Sequence, residues 1–116
     1  MSGLKSYVEV ELGGENKLLK FDYNAVADIE EKFGKGIVAV FKEENVGFNT
    51  VRLFYWAGLK WKDPGLTVQR VGGLLGDKLA AGGNIGELME PIVKALKASR
   101  LLGDMERGEG EDEGKN

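Results

Sequence analysis

Three pairs of carboxylates, Glu30/Glu31, Glu43/Glu44 and Glu87/Glu90, are the residues of this chain best suited by type to general acid–base work. That chemistry needs two carboxylates held in a cleft with their proton affinities pushed apart. Nothing in the flanking sequence forces these groups into a cleft, and each pair reads as part of a solvated helix face. Histidine and cysteine are absent from the 116 residues. Their absence removes the usual zinc ligands, the base that titrates near neutral pH, and the Ser/His and Cys/His nucleophile pairs. Glycine is abundant, yet neither G-x-x-x-x-G-K-[ST] nor G-x-G-x-x-G can be laid on the chain, and Gly34-Lys35-Gly36 reads as a helix stop. The acidic residues near the C-terminus lack the spacing and flanking helices of an EF-hand loop. No catalytic, metal-binding or cofactor-binding residue is assigned, and the chain is read as a non-enzyme without a cofactor.

The remaining chemistry is that of contact. Residues 54–61 (FYWAGLKW) place four aromatics in eight positions. On a helical wheel Val51, Phe54, Tyr55, Gly58 and Trp61 form one broad face, with Leu59 at its edge. Leu53, Trp56 and Ala57 project from the other side with Lys60 near them, and Arg52 lies between Trp56 and Leu59. A helix apolar nearly all round is buried on several sides or shares a surface with another molecule. Phe54, Tyr55 and Trp61 are therefore assigned to the core. Leu53, Trp56 and Lys60 are assigned to a partner-binding surface, where tryptophan is favoured. A base-stacking platform would need a positive groove beside it. Residues 104–116 hold six acidic side chains against Arg107 and Lys115, a net of −4; the whole chain carries −3, which leaves +1 for residues 1–103. A nearly neutral body with scattered lysines is not the footprint of a nucleic-acid binder.

These surfaces must be positioned by a single small domain. Residues 6–12 (SYVEVEL) alternate in the manner of a half-buried strand, residues 13–16 form a turn, and residues 17–23 (KLLKFDY) supply the return strand. Asp22 or Asn24 caps a helix that runs to Phe33 with Val26, Ile29 and Phe33 on one face, and Gly34 ends it in a left-handed conformation. A short helix follows over residues 37–44. Asn49 or Thr50 opens the aromatic helix, which stops near Asp63-Pro64-Gly65. Thr67 opens the next, weakened by Gly72, Gly73 and Gly76, which favour either a close helix approach or a bend. Asn84 and Glu87 form a capping box for a last helix that turns Leu88, Ile92, Ala95, Leu96 and Leu102 inward, kinks or breaks at Pro91, and ends at Gly103. The predicted fold is α+β, mainly α: an N-terminal β-hairpin packed on about four to five helices, residues 1–103, followed by a disordered acidic tail, residues 104–116. No apolar run of membrane-spanning length and no signal-peptide pattern is present, and the absence of cysteine fits a cytoplasmic protein.

In this order the features resemble the tail assembly chaperones of long-tailed bacteriophages, in particular the group related to a small tail-region protein of gene transfer agents. The residues that carry the resemblance are the strand pair, the E-x-x-F-G stop at residues 30–34, the W-A-G-L of residues 56–59, and Leu66-Thr67. The match spans about residues 6–100 and contains no catalytic motif. The resemblance implies a non-enzymatic protein of the host bacterial cytoplasm, absent from or scarce in the mature virion. It would bind and solubilise the tape measure protein and help recruit tail tube protein, with self-association through an apolar helix, and without nucleic-acid or membrane partners. It also implies a programmed ribosomal frameshift near the end of the reading frame, for which Gly114-Lys115 is codable as a slippery sequence. Two other readings stay open. One is a head–tail or tail-completion component retained in the virion; the other is an acidic regulator or nucleic-acid mimic that uses residues 104–116 to occupy a basic protein.

Overall fold

The computed structural model describes residues 6–42 and 47–102. The chain starts as an antiparallel hairpin of β1 (Tyr7–Leu12) and β2 (Glu15–Lys20), with Tyr7 opposite Lys20 and Leu12 opposite Glu15. Gly13 and Gly14 both take positive φ, 63° and 78°. That conformation closes a two-residue turn whose twist matches the strands, and it is cheap only for glycine. Pairing consequently begins at Glu15, two residues earlier than expected, and β2 ends at Lys20 because Asp22 is already committed to capping a helix. Val8, Val10, Leu12 and Leu19 share the inner face of the hairpin, and Leu19 is fully buried.

α1 (Tyr23–Phe33) is capped by Asp22, whose Oδ1 accepts from the Ala25 amide at 2.8 Å, and it ends at a left-handed Gly34, φ 71°. The Glu30 carboxylate accepts from the amide of Ile37 at 2.7 Å and so satisfies a free donor at the start of α2 (Ile37–Lys42). α3 (Phe48–Leu59) begins at Gly47 without a side-chain cap, ahead of the Asn49 or Thr50 start expected from sequence. α4 (Val68–Ala80) is capped by Thr67 and runs unbroken through Gly72, Gly73 and Gly76. α5 (Ile85–Ser99) opens on the complete Asn84/Glu87 capping box.

The expected break is absent: α5 continues through Pro91, since one missing backbone bond is outweighed by the burial of Leu88, Ile92, Ala95 and Leu96 along one face. The expected end of the helix needs correction. It ends at Ser99, not Gly103: Arg100 itself takes the left-handed conformation, φ 62°, while the Ser99 hydroxyl donates to the Leu96 carbonyl and accepts from the Leu101 amide. Leu102 packs on the core from beyond the helix. The architecture is α+β and mainly α, five helices and one hairpin among the described residues. Residues 104–116, Gly114 and Lys115 among them, lie outside the described residues, as do Gly103, Glu43 and Glu44. Among the described residues, no helix is long and apolar enough to cross a membrane.

α3 is the central element, in contact with β2, α1, α4 and α5. Phe54 lies among Phe21, Phe33 and Phe41, with ring centroids 5.4 to 6.4 Å away. Tyr55 is fully buried, and its hydroxyl donates to the Leu88 carbonyl of α5 at 2.7 Å. Gly58 faces β2: a Cβ there would stand 2.6 Å from Leu19 Cδ1 and 3.1 Å from the Phe21 ring. Helix and hairpin approach so closely only because residue 58 has no side chain.

Candidate partner-binding surface

The three residues assigned to a partner surface have different environments. Leu53 is buried, 6% exposed, which corrects its expected place at the surface. The wheel identifies which residues share a side of α3, but how many neighbours cover that side is a tertiary property. Trp56 is half-buried and packs against the core, and its indole N–H donates to the Leu66 carbonyl at 3.1 Å. Lys60 is ion-paired with Asp28 of α1. The ammonium groups of Lys60 and Lys32 stand 4.6 and 5.3 Å from the Trp56 ring centroid. Trp56 thus ties down the segment that links α3 to α4 while keeping part of its ring in solvent.

Trp61 differs from expectation as well. It lies beyond the end of α3, half-buried on the outer face of the hairpin, where its ring stacks on Tyr7. Its indole N–H donates to the Leu18 carbonyl at 2.9 Å, and Lys20 and Lys62 flank the ring. Phe54 and Tyr55 are core residues, as the wheel assigns them. Burial pushes the Tyr55 phenol above its usual range, so it stays a proton donor to Leu88. Among the described residues, no group of three or more His, Cys, Asp or Glu side chains could hold a metal ion. Of the paired carboxylates, Glu30 and Glu87 are engaged as helix caps.

An apolar recess of α3 lies toward its N-terminal half, against α4. It is a groove of about 390 Å³ whose floor is Val51, Leu75 and Leu88. Gly72 and Gly76, one turn apart on α4, form its far side, and a Cβ at Gly76 would meet nothing within 4 Å. Phe48 stands on the rim, 69% exposed, with Arg52 one turn further along α3. A large aromatic so exposed beside an unfilled apolar recess is a contact surface in the making. The sequence carried the signal in the i, i+4 spacing of Gly72 and Gly76, which removes two side chains from one helical stripe. Phe48 was missed because it precedes the expected helix start.

What this geometry can do is bind. The groove is apolar at its base and bordered by an aromatic and a cation. Comparison with protein-family models, with curated proteins and with solved structures gives no match.

Proposed function

We propose that the protein is a tail assembly chaperone that binds and solubilises the tape measure protein of a long-tailed phage before the tail tube closes around it. The observation that carries the reading is the exposed Phe48 beside the apolar groove between α3 and α4. A long helical chain with bare apolar stripes aggregates unless they are covered, and a helix-in-groove contact covers them. The resemblance of the hairpin, the E-x-x-F-G stop and the W-A-G-L helix to that chaperone group supports the same conclusion. In this proposal Phe48, Gly72, Gly76 and Leu79 receive the partner, Trp56 and Lys60 extend the contact along α3, and Leu53 takes no direct part. Tail tube subunits compete for the bound chain and release the chaperone, which stays in the host cytoplasm. The test is co-expression with the tape measure protein encoded just downstream. The expected result is co-purification and a larger soluble fraction of that protein, both lowered by Gly76→Leu, which fills the groove. A tape measure protein that neither co-purifies nor gains solubility overturns the proposal.

A further inference from the structure

The groove is not wholly apolar. Arg52 is the one charged residue among those described along its lining. Its stem is seated against Gly72, where a Cβ would come within 3.2 Å of Arg52 Cδ, so the missing side chain fixes where the guanidinium lies. Arg52 Nη2 donates to Asn49 Oδ1 at 2.8 Å, yet Nε is buried and has no hydrogen-bond partner. Nε has almost no accessible surface, so an incoming group meets the guanidinium from its Nη side, where a carboxylate makes charge-assisted bonds.

We infer that the occupant of the groove is an apolar helix carrying a carboxylate, and that this carboxylate pairs with the guanidinium of Arg52. The inference rests on the proposed binding groove and specifies the partner's chemistry. Leucine-sized side chains of the incoming helix fill the recess over Val51, Leu75 and Leu88, and an aspartate or glutamate one turn away meets Arg52. A single cation in an apolar groove sets the register of the helix: sliding it by one position separates the pair and desolvates both charges.

The test uses the full-length protein and two fluorescein-labelled amphipathic peptides. Both carry leucines at i, i+3 and i+7; one has a glutamate a turn from the central leucine, its twin a glutamine there. The glutamate peptide is expected to bind at least about tenfold more tightly by anisotropy. That preference should vanish in Arg52→Met and shrink in Arg52→Lys, which keeps the charge but loses the planar fork. In the wild-type protein the Arg52 Nε–H resonance should move on adding the glutamate peptide and stay in place with the glutamine twin, a reading that needs no variant. Equal affinities, or a preference that survives Arg52→Met, overturn the carboxylate while leaving the apolar groove standing. If neither peptide binds, whether a second copy, residues 104–116 or nothing fills the groove, the proposed occupant is wrong. Binding that Gly76→Leu does not weaken overturns the groove itself.

Discussion

Gly58 and Gly76 are both helical glycines, and their surroundings are opposite. At Gly58 the absent side chain is already replaced by Leu19 of β2 and by Phe21 just beyond it, so α3 and β2 close on each other. At Gly76 the space is left empty and opens onto the groove. The same chemical economy therefore seals one side of α3 and exposes the other. Packing energy is concentrated on the sealed side, where Tyr55, Phe54 and Leu19 are inaccessible to solvent. The open side keeps Phe48 largely exposed above a floor of core residues, apolar surface that adds little to the isolated fold and can be used on a partner.

Four variants can break or sharpen that contrast. The largest effect is expected from Phe54→Ala, which empties the centre of the aromatic cluster and should cost about 3–5 kcal/mol in urea denaturation. Gly58→Val forces methyl groups into Leu19 and Phe21 and should cost about 1–3 kcal/mol; an unchanged midpoint would mean that α3 and β2 are not tightly closed. Tyr55→Phe leaves the Leu88 carbonyl without its buried donor and should cost about 1–3 kcal/mol. The same variant has a pH signature. The folded-state pKa of Tyr55 is raised above its ordinary value of 10.0, so the folded protein holds this proton more tightly than the unfolded chain. The contribution is constant below that value and falls as pH rises above it, by about 1.4 kcal/mol per unit until the folded-state pKa is reached. Alkaline destabilisation should be shallower in Tyr55→Phe than in wild type; parallel profiles would show that Tyr55 is not the group responsible. The smallest effect belongs to the open side. Gly76→Ala meets no neighbouring atom and should raise stability by up to about 1 kcal/mol through helix propensity, whereas a loss would show the recess to be filled.

The parts legible in the sequence are the local ones. Asp22, Gly34, Thr67 and Asn84 act through atoms within a few residues, and each caps or stops the helix it was expected to. The hairpin was recognisable from its alternation, although the length of the turn depended on two adjacent positive φ angles. What escaped was set by distant neighbours. Leu53 is buried because other elements cover its side of α3, and Trp61 leaves the helix to stack on Tyr7, far away in sequence. The groove depends on an absence, two missing side chains on α4 facing α3, and a wheel drawn for either helix alone does not reveal a space between them. Arg52, placed by the wheel between Trp56 and Leu59, acquires its interest only as the one charged residue described along that space.

The contact of α5 with both strands of the hairpin also has a consequence for synthesis. The hairpin is covered in part by a helix synthesised well after it. Until residues 85–99 have emerged, the inner face of the hairpin lacks the cover of α5, and Tyr55 has no Leu88 carbonyl to bond. Completion of this fold is thereby deferred until α5 has emerged, and a nascent chain stalled before α5 has a core open on one side.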